Sequence, residues 1–189
     1  GHPTAVTKRA TRPGLKKAYS MIEEMMLLAN ELVAEWLTKK NAPAIFRVHG
    51  RPDPQKLDKL VAVGEKLGID IDTDRLSEPL GVSEFLRDIQ GHERATVLSM
   101  LLLRTLKQAQ YDIDNVGHFG LASTCYLHFT SPIRRYPDLC VHRQVKGILR
   151  GTPIDRSPAA IEGRRASATE SSTRERAAME IEREVVGLY

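Results

Sequence analysis

Cysteine is scarce: Cys125 and Cys140 are the only two in 189 residues. They show neither a CxxC spacing nor a neighbouring metal-ligand pattern. This excludes a disulfide framework and reads as a pair of intracellular thiols. Aromatic residues make up only 5% of the chain. Phe119, Tyr126 and Phe129 are too sparse to read as a base-stacking platform. No apolar run approaches the length of a membrane span, and the segment from Gly1 to Leu15 has no apolar stretch of the kind a secretory signal needs. Neither an internal repeat nor a low-complexity tract is present. A soluble, cytoplasmic protein with no membrane partner is the expectation.

What is there is a chain with 41% hydrophobic residues, a formal net charge of +4 and a pI near 9.1. That length and composition are enough for one domain with a real core. The mild basic excess fits a polyanion partner without demanding one. Residues 1–14 hold Lys8, Arg9 and Arg12 and no acid, and read as a flexible basic arm. Residues 15–189 read as the folded part.

Apolar residues recur at helical spacing from Leu15 to Thr38. Met25, Met26, Leu27 and Leu28 are apolar on four consecutive positions, so that turn should be covered on most sides, as in a central helix. Asn41-Ala42-Pro43 ends it. Ala44 to Val48 reads as a short strand, and Pro54 suits the first position of the next helix. Leu57, Leu60, Val61, Val63 and Leu67 form that helix's apolar stripe, and Gly68 stops it. Ile69 to Asp74 reads as an acidic loop. Further helices are expected over Val82–Ile89 and Arg94–Gln108, the second burying Val97, Met100, Leu101, Leu103 and Leu106. Glycines and alternation from Tyr111 to Phe129 predict a twisted hairpin with turn or bulge points at Asn115–Gly117 and Gly120. Helix returns over Thr130–Leu149, interrupted by Pro137. Ala159 to Tyr189 reads as a long charged helix with interleaved Arg and Glu.

The segment from Tyr126 to Asp138 carries the chemistry. Ser131 is an N-cap candidate and Pro132 fits the first helical position. Arg134 and Arg135 then fall in the first turn, where the helix dipole disfavours cations by up to about 1 kcal/mol. Backbone N–H groups and two guanidinium forks there would make a phosphate site. Asp138 is placed to pair with either arginine, and His142 adds a polar group on the same face. The competing reading is a surface ion-pair cluster, worth at most about 1 kcal/mol. Pro137 favours the first reading, because a proline one turn into a helix kinks it or moves its start without an obvious packing gain.

The pattern HFGLAxxxYxHFTSPIRRYPDLxVHR, here His118 to Arg143, resembles the signature of the ribonuclease II / ribonuclease R family and its RNB catalytic domain. Ile22 to Glu31 resembles that family's IEExMLLANE helix, and Phe46 to Pro52 its RVHxxP turn. The likeness runs over nearly the whole chain. It implies a helix-dominated α+β fold: the C-terminal portion of an RNB catalytic domain, with a few short strands and the long charged C-terminal helix.

The resemblance also implies processive 3′→5′ hydrolysis of single-stranded RNA to 5′-nucleoside monophosphates, with magnesium. Arg134 matches the family's arginine at the cleaved phosphate, where it would neutralise transition-state charge. Glu24 matches the glutamate that contacts the terminal ribose, whose 2′-OH distinguishes RNA from DNA. Arg135, Ser131, His128 and His49 are weaker RNA-binding candidates, and His49 has the alternative of satisfying the backbone of its turn.

The family's metal-binding aspartate cluster has no match in this sequence. Two-metal hydrolysis needs such carboxylates, so no metal ligand is assigned and Mg2+ would be held by the parent enzyme elsewhere. Asp70, Asp72 and Asp74 resemble the start of a calcium loop, but Arg75 and Gly81 stand where Gly and Glu are required. Asp112 and Asp114 have no third partner. Three readings follow: a section of an active exoribonuclease, inactive alone and expected beside a companion chain, either the missing portion of the catalytic domain or a second copy; a catalytically inactive RNA-binding or interaction module; and a helical scaffold that binds proteins through Ala159–Tyr189.

Overall fold

A computed structural model describes residues 13–187. In chain order the elements are α1 (Pro13–Lys39), β1 (Phe46–Val48), α2 (Pro54–Lys66), α3 (Thr73–Leu76), α4 (Pro79–Asp88), α5 (Ala95–Thr105), β2 (Gln110–Asp112), α6 (Tyr136–Leu149) and α7 (Pro158–Gly187). The fold is helix-dominated α+β. The expected basic arm falls outside the described residues up to position 12, and α1 already begins at Pro13. The chain forms two compact units, one from residues 13–45 with 127–187 and the other from Phe46–Tyr126. Among the described residues no helix is long and apolar enough to cross a membrane.

In the first unit α1 buries a narrow stripe of Asn30, Ala34 and Leu37. This spacing of four and three puts all of them on one face. The helix ends at Asn41, which takes the left-handed conformation (φ 51°). Arg156 caps that end by donating to the carbonyls of Asn41 (2.9 Å) and Lys40 (3.0 Å). The first half of α1 differs from expectation. Met21, Ile22, Met25, Met26 and Leu28 are exposed, Met25 by 60%. The apolar turn is real, but the described residues cover only the opposite stripe, so this is not a buried central helix within the chain. On α7 the Glu170–Arg174 pair (2.7 Å) is of the expected i,i+4 kind and is solvated.

The second unit has a core of Leu57, Leu60, Ile71, Leu76, Phe85, Ile89, Leu98 and Leu102. Each such side chain contributes about 1.5–3 kcal/mol when fully buried. Asp53 caps α2 by accepting from the Gln55 N–H (3.0 Å), with Pro54 in the first turn. The acidic loop contains a short helix: Asp72 accepts from the N–H groups of Asp74 (2.9 Å) and Arg75 (3.2 Å) and so starts α3.

Two expectations are corrected here. First, α5 buries Leu98, Leu102 and Thr105, while Val97, Met100 and Leu103 are exposed. The segment ATVLSMLLLRT is apolar nearly all round, so spacing does not select its buried face. It also ends at Thr105, short of Gln108. Second, Tyr111 to Phe129 is not a hairpin. β2 pairs antiparallel with the distant β1, Arg47 facing Tyr111. The residues that should have formed a turn and return strand bond locally instead. Asp112 accepts from the N–H groups of Ile113 (2.7 Å) and Asp114 (3.1 Å), and Asn115 accepts from that of Gly117 (3.0 Å). Such side-chain bonds compete with ladder formation. A 3-10 turn at Phe119–Leu121 follows, closed by Ala122 in the left-handed region.

Candidate phosphate-contacting site

The chain approaching α6 is held at successive points within the first unit. The Phe129 N–H donates to Asn30 Oδ1 on α1 (2.9 Å). The Phe129 carbonyl bonds His142 Nε2 on α6 (2.9 Å), and the two rings stack at 4.0 Å, 6° from parallel. Ser131 then donates its N–H to Asp138 Oδ1 (2.8 Å), while its carbonyl accepts from the N–H groups of Arg134 (3.3 Å) and Arg135 (3.2 Å). The result is a tight turn, not the first turn of a helix. α6 starts at Tyr136, and Arg135 is its extended N-cap residue. The expectation that Ser131 caps a helix carrying both arginines is therefore corrected. Pro137 lacks an N–H and clashes with a continuing helix behind it, so the helix begins where neither matters.

The two arginines have different fates. Arg135 is 19% exposed and grips Asp138 with Nε (2.9 Å) and Nη2 (2.8 Å). Asp138 is fully buried. Arg134 is exposed, and among the described residues no hydrogen bond or ion pair involves its guanidinium. Ile133 beside it is fully exposed and Tyr136 half exposed. Among the described residues the turn thus presents one unpaired cation, flanked by an aliphatic and an aromatic side chain.

The other candidates lie as follows. Glu24 is exposed on α1, in the same unit as the turn. Ser131 is fixed through its backbone, and His128 is half-buried. His49 belongs to the second unit, and its ring is already engaged. Nδ1 accepts from the Gly120 N–H (2.9 Å), and Nε2 bonds the Lys107 carbonyl (2.6 Å). That is the backbone-satisfying role, and it leaves no ring nitrogen for RNA. Gly120 is required there because a Cβ would stand 2.9 Å from His49 Nδ1.

Sequence reasoning missed Asn30, the one polar member of the buried α1 stripe. Its signal was a polar residue four positions before Ala34 on an apolar face. Among the described residues no group of three or more His, Cys, Asp or Glu side chains could hold a metal ion.

His118 also packs against His49, ring centroids 5.2 Å apart, and its Nδ1 is buried without a partner. Burial, then the charges possible on His49 and Arg47, push its pKa down to about 4. The unfolded chain therefore takes up this proton near pH 6.5 and the folded chain only near 4. Stability from this residue is complete above pH 6.5 and lost as pH falls towards 4. Partial exposure limits the loss to about 1–2 kcal/mol. Urea titrations at pH 7 and 4.5 should show it, and His118→Phe should flatten that part of the profile.

The helix-dominated α+β scaffold with its anchored turn matches known proteins over most of the chain. The chain is 43% identical over 132 residues to Ribonuclease R of Escherichia coli, a match covering 70% of this chain and 16% of that protein. Mycoplasma genitalium RNase R in complex with double-stranded RNA superposes with a TM-score of 0.79 at 32% identity, covering 89% of this chain and 31% of that one. Yeast Ssd1, a pseudonuclease, superposes with a TM-score of 0.67 at 27% identity, covering 80% of this chain and 19% of that one. The RNB domain model matches residues 4–151, and the chain belongs to the RNB domain family. It spans only 16–22% of the length of curated relatives such as the Escherichia coli and Lactococcus lactis enzymes.

Proposed function

We propose that this chain is the phosphate- and ribose-contacting section of a 3′→5′ exoribonuclease acting on single-stranded RNA. The observation that carries the reading is the exposed Arg134 guanidinium, left free while its neighbour is consumed by Asp138. A planar guanidinium can donate two parallel hydrogen bonds to a phosphodiester. Charge builds on those oxygens as water attacks phosphorus and the P–O3′ bond breaks, leaving a 3′-hydroxyl on the shortened RNA, so the interaction strengthens in the transition state. Glu24 would accept from the 2′- and 3′-hydroxyls of the terminal ribose.

Magnesium, which the family resemblance implies, would supply water activation and charge neutralisation. The described residues do not fit such a centre, so its ligands would come from elsewhere in a larger catalytic domain. The exposed apolar turn of α1 supports that arrangement, because an uncovered cluster of this kind usually marks an interaction surface.

The ribose assignment has its own test in the complete enzyme. Replacing the terminal ribonucleotide of the substrate by a deoxyribonucleotide should slow the native enzyme about tenfold or more, the value of a hydrogen bond to a charged group. Glu24→Ala should be slowed by a similar factor on RNA and show no further penalty on the deoxy-ended substrate. A full deoxy penalty in the variant would remove Glu24 from the ribose site.

A second reading, an inactive RNA-binding module, is favoured by the likeness to a pseudonuclease. Magnesium-dependent release of 5′-mononucleotides from poly(A) by the complete protein decides between them. Salt-sensitive RNA binding without release would establish the second.

A further inference from the structure

We infer that Asp138 is a positioning residue for the reaction, acting through Arg134 without touching RNA; this rests on the proposed role of Arg134. Asp138 is 0% exposed. A carboxylate buried so completely is strongly destabilising unless it is paired and its oxygens are saturated. Here three donors meet it: Arg135 Nε at 2.9 Å, Arg135 Nη2 at 2.8 Å and the Ser131 N–H at 2.8 Å. It also sits in the first turn of α6, where the helix dipole favours an anion.

The consequence lies in what those bonds span. One carboxylate ties the chain at Ser131 to Arg135, so both ends of the Ser131–Arg135 turn are fastened to α6. Arg134 is inside that closed turn. Its own N–H is held by the Ser131 carbonyl at 3.3 Å. The backbone beneath Arg134 therefore has little freedom, and its guanidinium leaves the surface from a fixed point. The same carboxylate neutralises Arg135, so only one of two adjacent cations remains for phosphate. A free Arg135 would offer RNA a second, competing phosphate register one residue away. Asp138 thus sets both where the working cation stands and which of the pair works.

The experiment is a double-mutant cycle in the complete enzyme, with kcat, KM and thermal unfolding measured for each variant. Arg134→Ala should lower kcat by about 100-fold or more. Asp138→Asn keeps the shape but loses the charge. It should lower kcat roughly tenfold with KM within about threefold, the pattern of a misplaced transition-state contact. Combined, the two should be no slower than Arg134→Ala alone, because a residue that acts through another adds nothing once that other is gone. The unfolding temperature falls in Asp138→Asn on either account, because a buried pair is broken; a merely structural Asp138 would multiply with Arg134→Ala.

Multiplicative losses, or unchanged kcat in Asp138→Asn, overturn the inference while leaving the role of Arg134 standing. A mild Arg134→Ala overturns the functional reading itself. If Asp138→Asn does not fold, Arg135→Lys takes its place in the cycle, since it keeps the buried pair neutral but breaks the fork. It should cost kcat several-fold and nothing further beside Arg134→Ala, and full activity would sink the proposal.

Discussion

Arg134→Ala in the complete enzyme should cut turnover by about 100- to 1000-fold and leave most RNA affinity in place. The two halves of that expectation have separate origins. Affinity for a threaded strand is spread over many phosphate contacts, and losing one of them removes only a small share. Turnover is different, because the guanidinium meets a phosphate whose charge grows along the reaction. Arg134 is suited to this because it is exposed and unpaired among the described residues, so no ion pair has to break before it can bind. Arg134→Lys keeps the charge but not the fork, and should recover only part of the rate. Single-turnover kinetics with a short oligonucleotide, alongside filter binding in the absence of magnesium, would separate the two effects. Turnover within a few-fold of the native rate would mean that the free guanidinium serves binding alone.

Arg135→Ala should look quite different, and the contrast shows what the sequence could and could not say. Read as letters, Arg134 and Arg135 are twins, and Asp138 lies within reach of both. Only the backbone decides between them. Pro137 moves the start of the helix to Tyr136, which turns Arg135 into the N-cap residue and swings its fork onto Asp138. The presence of a boundary was legible because proline chemistry is local. The division of labour was not, because it depends on where a buried carboxylate points.

The same distinction holds across the fold. Asn41, Asp53, Pro54 and Gly68 mark element ends by their own conformational preferences, and the structure uses all of them. The partner of β2 was invisible because Phe46–Val48 lies more than sixty residues away and nothing in either short strand encodes its mate. The buried face of α5 was invisible for the opposite reason: too many apolar residues satisfied the same spacing. Asn30 shows a third case. Its amide ends an otherwise apolar stripe, and the reason appears only when the Phe129 backbone arrives beside it. The site's residue types were readable from the sequence, then, while the contacts that orient them were tertiary.

Gly81 carries the second large expected effect. In sequence it stands at the position where a calcium loop would need glutamate. In the structure it is the point where α4 meets the end of α3. A Cβ on Gly81 would overlap the Arg75 carbonyl oxygen, and would lie 2.6 Å from the carbonyl carbon and 2.8 Å from Arg75 Cγ. Two of these three atoms are backbone, so no side-chain rotation relieves the clash. α3 and α4 would have to part, loosening Leu76 and Phe85, both core members. Gly81→Ala should therefore destabilise the chain by about 3 kcal/mol or more, a fall in unfolding temperature of roughly 6–12 °C for a domain of this size.

Gly163 supplies the matched control. It too is helical, on α7, but a Cβ there meets nothing within 4 Å. Gly163→Ala should stabilise by about 0.5–1 kcal/mol through helix propensity alone. Thermal unfolding followed by far-ultraviolet circular dichroism would measure both variants. Opposite signs are expected from the same substitution. Gly81→Ala matching the native chain would mean that α4 can draw back from Arg75 at no cost, so that the core of the second unit does not depend on that contact.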